Sequence, residues 1–215
     1  MKKLFICLFI LSACAFNLSS QGITTASAYF KSVSEYYASF KDYEADFNIT
    51  INGKETYGVL SFKAPNFIRL DYTKPANQVI CYNGDMLTMY LPDSSAVLQQ
   101  QAKSGGSAQG LALMSRYYTV AYETGQAPVP LDSSSDEMVV KFILHSKGGE
   151  AFRYIKLAVN PETKLIRRLE AVTPGGISFI FNFLAYRINT GISENRFIYD
   201  APSSANNLNN FLFTE

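Results

Sequence analysis

The chain has 215 residues but no tryptophan, one histidine and three cysteines. The histidine, His145, lies within a predicted strand, and no cysteine or acidic pair stands around it at the spacing of a metal site. Cys7 and Cys14 fall in the N-terminal leader, which leaves Cys81 without a partner for an intramolecular disulfide. We therefore expect a fold stabilised by its apolar core, with Cys81 as a small buried side chain.

Motifs of enzymatic chemistry are also missing. The sequence contains no nucleophile elbow, no phosphate-binding glycine loop and no HExxH motif. Its acidic residues are scattered over polar faces, which is typical of solvated surface. The sequence predicts a protein that is not an enzyme and that uses neither a metal nor a cofactor.

Charge of one sign is not concentrated anywhere along the chain. Nineteen residues are Lys or Arg and 18 are Asp or Glu, with no basic block among them. Binding to phosphate backbones requires concentrated positive charge, so nucleic acid is excluded as an expected partner. Hydrophobic residues make up 47% and aromatic residues 14% of the chain, enough for a β-rich core lined with Tyr and Phe.

The N-terminus has the pattern of an export signal, predicted over residues 1–15. Lys2 and Lys3 precede an apolar run, 4–11, that is too short to span a bilayer. Two cleavage patterns overlap here. The sequence from Leu11 to Cys14 resembles a lipobox, which would leave Cys14 lipidated and the protein anchored, whereas Ala13-Cys14-Ala15 fits a site that would release a soluble protein. Both place the remaining single domain, 16–215, outside the cytoplasm.

Hydrophobic periodicity predicts two helices, 24–40 and 110–118, with Thr24 or Thr25 as the cap of the first. Alternating patterns predict strands over 44–51, 55–63, 67–72, 78–82, 86–90, 137–145, 152–160, 165–173, 177–186 and 196–199. Polar, Gly-rich and Pro-rich composition predicts loops over 93–106 and 123–136. No secondary structure is predicted for residues 201–215.

The stretch 58–92 organises this pattern because its strands have one strongly apolar face. Ile68, Leu70 and Tyr72 share that face, while Arg69 and Asp71 lie on the other. Two helices are too few to cover such a sheet. A curved antiparallel sheet of this kind either closes on a packed core or keeps an apolar cavity under a partial lid. A cavity would suit acyl chains, whose burial is worth ~0.8 kcal/mol per methylene.

The same stretch resembles the bacterial outer-membrane lipoprotein carrier family, the LolA-like periplasmic carriers. The resemblance is carried by residues at matching order and spacing: Gly58, Leu60, Lys63, Pro65, Asn66, Tyr72, Pro75, Gln78, Asn83, Gly84, Leu87, Tyr90 and Pro92. It implies a mainly β fold of the α+β class, in which a curved antiparallel sheet forms an incomplete barrel with a helical lid over an apolar cavity.

The resemblance also implies a function and a site. The protein would be a monomeric periplasmic carrier that binds acyl chains of lipoproteins and transfers them from an inner-membrane releasing transporter to an outer-membrane acceptor. The cavity residues that it implies are Phe30, Val33, Tyr36, Tyr37, Phe40, Phe47, Leu60, Phe62, Ile68, Leu70 and Tyr72.

One position departs from the family. Ala64 stands where these carriers commonly have an arginine that hydrogen-bonds to the lid, so another group holds this lid or its closed state is weaker. Two alternatives stay open. A LolB-like anchored receptor would suit the lipobox ending at Cys14, although residues 73–77 hold no large apolar side chain for membrane entry. A structural module of the cell envelope with a closed core would bind no lipid.

Overall fold

The computed structural model describes residues 24–101 and 110–209. The predicted export signal, the candidate lipidation site Cys14 and residues 210–215 lie outside the described residues.

The first helix, α1, runs from Ala26 to Ala38. It begins there because the Thr25 hydroxyl accepts a hydrogen bond from the Ala28 amide at 3.2 Å, which supplies a partner for an otherwise free donor of the first turn. Phe30 and Val33, on its apolar side, are completely buried. The second helix, α2, spans Gly110–Tyr117 and contacts α1. Both helices agree with the predicted ones to within two residues at each end.

The described residues, 24–101 and 110–209, contain thirteen strands. They are β1 (Asp42–Ile51), β2 (Lys54–Lys63), β3 (Phe67–Lys74), β4 (Val79–Tyr82), β5 (Met86–Leu91), β6 (Ala96–Gln101), β7 (Tyr118–Tyr122), β8 (Val129–Pro130), β9 (Met138–Ser146), β10 (Tyr154–Val159), β11 (Ile166–Val172), β12 (Ser178–Ile188) and β13 (Asn206–Asn209).

These strands form one curved, unclosed sheet, so the predicted incomplete barrel is confirmed. The strand order is β13-β6-β5-β4-β3-β2-β1-β12-β11-β10-β9-β7, with β8 beside β9. Neighbours are antiparallel except β13 and β6, which are parallel. Most neighbours are also consecutive in sequence, because hairpins connect them. The contact between β1 and β12 joins the N-terminal strands β1–β6 to the C-terminal strands β7–β12.

Two local predictions are wrong. The predicted loop 93–106 contains strand β6, which pairs with β5 along its whole length. It was not predicted because its three consecutive glutamines give no apolar alternation. No strand forms over 196–199. A 3-10 helix, Glu194–Phe197, overlaps its first half, because the Ser193 side chain caps that helix by accepting a hydrogen bond from the Asn195 amide. Three further strands were not predicted: β7, which follows α2 directly, the two-residue strand β8 inside the predicted loop 123–136, and the short edge strand β13.

The face of the sheet on which α1 lies is called the inner face. On the C-terminal strands this face is a closed core in which Phe142, Leu157 and Ile166 are buried beneath the Phe30 and Val33 side chains of α1. The ring of Phe30 meets the ring of Phe142 edge to face at 6.3 Å. Burial of this cluster anchors α1 to one half of the sheet.

The outer face is covered over the N-terminal strands by the C-terminal segment of the chain. Phe197, 1% exposed, packs against Val79 and Cys81. Arg69 on β3 donates hydrogen bonds to the carbonyls of Arg196 and Ile198 at 2.9 and 3.2 Å. The predicted burial of Cys81 is confirmed, because this segment lies over it.

A buried carboxylate binds the chain at the start of that segment. Asp42, at the start of β1, accepts hydrogen bonds from the backbone amides of Thr190 and Gly191, the former at 2.8 Å. The Asp42 carbonyl accepts a further one from the Asn189 amide. Charge-assisted bonds of this kind are about twice as strong as neutral ones, so the chain is held where it leaves β12.

The close approach of β1, β2 and β3 depends on Gly58. A Cβ on Gly58 would lie 2.1 Å from the Asp71 carbonyl oxygen and 2.6 Å from Cζ of Phe47, whose ring crosses this position. We expect Gly58→Ala to lower the free energy of unfolding by about 1–3 kcal/mol, measured by urea denaturation. Gly175→Ala is the control, because its Cβ would find its nearest neighbour at 3.9 Å. Equal midpoints for the two variants would contradict this close packing.

Candidate functional site

The inner face of strands β2–β6 carries two adjacent rows of uncharged side chains. Strand register aligns Leu60, Leu70, Ile80, Met89 and Leu98 in one row. The neighbouring row contains Phe62, Ile68, Tyr82 and Leu87. These nine residues are called the apolar trough.

The apolar trough is open, unlike the core beside it. None of its nine side chains is fully buried, and Ile68 is 38% exposed. On the same face of the C-terminal strands, Phe142, Leu144 and Val159 are completely buried. The other eight side chains are half-buried, so the trough is a contiguous apolar surface that is partly exposed. Such a surface is costly in water and is typical of binding surfaces in soluble proteins.

Measured across its strands, the trough is about as long as an acyl chain. Five strands at about 4.8 Å spacing span roughly 19 Å. Acyl chains of one membrane leaflet fill about half of a hydrocarbon core roughly 30 Å thick, so they are of similar length. The trough therefore offers a continuous apolar surface on which such a chain could lie across the strands.

Aromatic rings at the end of α1 separate the trough from the closed core. The ring of Tyr36 contacts Phe40 at 4.8 Å between centroids, Phe40 contacts Tyr43 at 5.9 Å, and Tyr43 contacts Phe62 at 5.1 Å. These four residues are called the aromatic wall. Tyr36 is 37% exposed and Phe40 only 4%, so the wall reaches solvent at its Tyr36 end.

The eleven residues expected to line the cavity fall into distinct places. Leu60, Phe62, Ile68 and Leu70 lie in the trough, and Tyr72 lies beside them on the same face of β3. Those at the end of α1, Tyr36, Tyr37 and Phe40, lie at or next to the aromatic wall. Phe30 and Val33 lie in the closed core. Phe47 is buried against the ring of Tyr72, at the boundary between the closed core and the trough.

Five trough residues were missed in the sequence: Ile80, Tyr82, Leu87, Met89 and Leu98. Their strands were predicted, except β6, but β4 and β5 are apolar on both faces. Alternation therefore could not assign their faces, and only the register with β3 does. The Asn83-Gly84 hairpin signal was the available clue, because it sets the pairing of β4 with β5.

A polar cluster lies next to the aromatic wall, between α1 and the sheet. The Tyr37 hydroxyl accepts a hydrogen bond from the Ile166 amide at 2.8 Å and donates one to the Tyr186 hydroxyl at 3.1 Å. The Tyr186 hydroxyl donates to the Ile166 carbonyl at 2.9 Å. Three residues thus form a closed cycle of hydrogen bonds.

Tyr186 reaches this cluster because of an irregularity in β12. The register of β1 with β12 shifts between Glu44 and Asp46, and Ala185 takes a positive φ of 48°. An extra residue of this kind turns the following side chain to a new direction. Burial raises the pKa of Tyr186 well above its ordinary value and that of Tyr37 to about 12.

A separate cleft of about 530 Å³ lies on the outer face, beside the C-terminal segment. Polar and apolar residues line it together, among them Arg69, Asp71, Val79, Tyr90 and Tyr199. The Arg69 guanidinium is occupied by Asp71 at 2.8 Å and by two backbone carbonyls. The cleft therefore lies where the C-terminal segment packs against the sheet, on the face opposite to the trough.

Within 24–101 and 110–209, no helix has both the length and the apolar content to cross a bilayer. Over the same residues, no three His, Cys, Asp or Glu side chains are grouped as metal ligands.

Comparison with known proteins gives one family and several similar folds. The family model of "Outer membrane lipoprotein carrier protein LolA" matches residues 34–200. No curated protein matches the chain. An uncharacterized conserved protein from Thermus thermophilus is similar in structure, with a TM-score of 0.58, 13% identity, and coverage of 84% of this chain and 96% of that chain.

A chain of the Pseudomonas aeruginosa MucA/MucB complex is also similar, with a TM-score of 0.51 and 13% identity over 81% of this chain. This chain spans 61% of that one. At such identities the likeness shows a shared fold.

The buried tyrosine cluster predicts a loss of stability at alkaline pH. Tyr37 ionises near its ordinary value of 10 in the unfolded chain and near 12 in the folded one. The unfolded state therefore binds fewer protons between these values. The contribution of Tyr37 to stability is fully present below pH 10 and should fall by roughly 2–3 kcal/mol up to pH 12. Urea denaturation across this range should show a shallower fall for Tyr37→Phe than for the wild type. The same slope in both would contradict burial of this hydroxyl, with exposed Tyr117→Phe as the control.

Proposed function

Since this chain belongs to the family of the outer membrane lipoprotein carrier protein LolA, we propose that it is a periplasmic carrier for lipoproteins. It holds their acyl chains on the apolar trough and moves them from the inner to the outer membrane. Members of this family are binding or carrier proteins rather than enzymes.

The observation that carries the proposal is the unequal cover of strands β2–β6. Their outer face is closed by the C-terminal segment around Phe197, while their inner face is left open over the trough. These strands can therefore stay folded with the trough exposed. Exposure at this one place is what a reversible lipid carrier requires.

Apolar contact also suits transfer. Each methylene removed from water contributes ~0.8 kcal/mol, so partial cover of one acyl chain is already worth several kcal/mol. This attraction has no directional requirement, so an acceptor with a better apolar surface can take the chain without bond breaking. An inner-membrane releasing transporter would load the trough, and an outer-membrane acceptor would empty it.

The residues proposed to contact acyl chains are those of the trough together with Tyr72 and the aromatic wall. Phe47 supports Tyr72 from below, with ring centroids 5.2 Å apart. Phe30 and Val33 hold α1 against the closed core, and they therefore contribute as supports of the lid. Tyr37 positions the end of α1.

A second candidate is an anchored protein of the same fold, favoured by the lipobox ending at Cys14. Such a protein would receive or hold lipoproteins at a membrane and would not cross the periplasm. The turn after β3, which follows Lys74, offers no large apolar side chain for membrane entry, and this favours the soluble carrier. The MucA/MucB complex suggests a further role, in which this fold binds a protein partner.

A charge in the trough tests the carrier function. We expect Leu60→Glu and Ile68→Glu to reduce binding of a triacylated lipopeptide by at least about tenfold, because a carboxylate would have to be desolvated beneath the acyl chain. The matched control is Leu184→Glu, since Leu184 is 48% exposed on the outer face. Binding is measured by fluorescence titration and folding by circular dichroism.

Normal binding by both trough variants would show that acyl chains do not use this face. Variants that unfold would show that the trough is instead part of a closed core. Leu184→Glu should match the wild type in both measurements.

Intact mass spectrometry of the protein from its own host decides between the two candidates. A carrier is expected in the soluble fraction as a species cleaved near Ala15, without covalent lipid. A diacylated species beginning at Cys14, found in the membrane fraction, would contradict free transfer and favour the anchored protein.

A further inference from the structure

One row of the apolar trough continues beyond β6. Strand β13 pairs in parallel with β6 and places Leu208 opposite Leu98, on the same face of the sheet. Leu208 therefore extends by one strand the row that contains Leu60, and it is 53% exposed. At the other end of this row, Ala45 of β1 lies opposite Leu60 and is completely buried. The row is therefore closed at β1 and exposed at β13.

This difference between the two ends gives a lipoprotein a preferred orientation on the trough. Its acyl tails are apolar, whereas its ester and amide groups and the polypeptide that follows them are polar. Removing those polar groups from water at the buried end would cost free energy, but at β13 they stay hydrated. Asn206, which shares the inner face with Leu208, also offers a neutral amide there for hydrogen bonds. The polypeptide is therefore expected to leave the trough at β13.

The backbone of β13 has hydrogen-bonding groups on the side that faces away from β6. The Asn206 amide donates to the Ser95 carbonyl at 2.8 Å, on the β6 side. Consecutive residues of a strand direct their backbone groups to opposite sides, so the N–H and C=O of Asn207 and Asn209 point away from β6. Within 24–101 and 110–209, no strand pairs with that side of β13. An unpaired strand edge of this kind can template the addition of another extended chain.

This edge also lacks the features that usually keep strand edges from pairing. None of the four residues of β13 is charged or is proline, and the sequence contains no charged residue between Asp200 and Glu215. Charged side chains and proline are the common means by which proteins block an edge. The opposite edge strand, β7, is by contrast contacted by both helices. The β13 edge is therefore the one that is open to a partner strand.

We propose that the free edge of β13 binds the polypeptide of the cargo, which pairs with it as an added strand while the attached acyl chains lie in the trough. This inference rests on the proposed carrier function and names a second contact of the same cargo. The segment that pairs is the extended stretch next to the lipid-modified residue. Main-chain hydrogen bonds require no particular side chains, so one edge accepts lipoproteins of unrelated sequence.

The two contacts reinforce each other because they are made by one molecule. Pairing of a few residues with a single strand edge is marginal in water by itself. Once the acyl chains are bound, however, the attached polypeptide is held next to β13 at a high effective concentration. Weak pairing then adds to the affinity for a lipoprotein, and it adds nothing to the affinity for a free fatty acid.

The first test compares three probes on the wild-type protein by fluorescence titration. They are cis-parinaric acid, a triacylated lipopeptide with about six uncharged residues after its acylated cysteine, and the same lipopeptide with each of those amides N-methylated. Methylation removes the backbone donors and blocks strand pairing, but it leaves the acyl chains unchanged. We expect the N-methylated lipopeptide to bind at least about fivefold more weakly than the unmodified one.

The second test changes the edge of β13 itself. Asn207→Pro removes a backbone N–H that points away from β6, so the ladder between β6 and β13 is kept. This variant should bind the unmodified lipopeptide at least about fivefold more weakly, with unchanged affinity for cis-parinaric acid and for the N-methylated lipopeptide. Asn207→Ala is the matched control, because it removes the same side chain and keeps the N–H. It should bind all three probes as the wild type does.

The outcomes separate this inference from the proposed function. If the wild type binds neither cis-parinaric acid nor the lipopeptide, the carrier function fails and the inference fails with it. If the wild type binds both lipopeptides equally well, the carrier function stands and pairing at β13 is wrong. Equal loss of cis-parinaric acid and lipopeptide in Asn207→Pro would mean that the trough is damaged, and the wild-type comparison then decides alone.

A second copy of the chain is the other possible partner of this edge. Sedimentation of the wild type and of Asn207→Pro without lipid distinguishes it from cargo. We expect both proteins to be monomeric. A wild-type dimer that Asn207→Pro dissociates would show that β13 pairs with itself, and it would overturn the inference.

Discussion

Everything in this structure depends on how one chain covers the two faces of one large sheet. Helix α1 buries the inner face of the C-terminal strands through Phe30 and Val33, and the segment around Phe197 buries the outer face of the N-terminal strands. Each half of the sheet therefore has a hydrophobic core, but on opposite faces. A stable domain needs at least two packed layers. Each half of this sheet has one covered face, so the requirement is met while the trough stays partly uncovered.

A LolA-family chain that carries lipid on the apolar trough, as proposed, would need no catalytic group. Its chemistry is the removal of apolar surface from water, which needs area and access rather than activated side chains. In the proposed function, binding strength would follow the number of methylenes covered. The hydrogen-bonded tyrosines next to Phe40 are polar groups placed where the closed core meets the apolar trough.

The sequence predicted well wherever a pattern is local. Helix α1 and its Thr25 cap follow from periodicity and capping, and the face of β3 follows from alternation of Ile68, Leu70 and Tyr72. Prediction failed once where the stabilising partner is distant and once where a local cap was overlooked. Strand β6 is polar in sequence and is stabilised by its ladder with β5, while the 3-10 helix before Ile198 depends on a local cap that the strand-like sequence obscures.

By itself, the sequence determined the family, the mainly β class and the apolar face of β2 and β3, because residues two apart must share a face. Only the tertiary structure decided which apolar residues are core and which are trough. Phe30 and Ile68 have equally apolar surroundings in sequence, yet one is fully buried and the other 38% exposed. The physical reason is that burial depends on what lies opposite a face, and the β12 irregularity at Ala185 that brings Tyr186 beneath Tyr37 arises from pairing with β1.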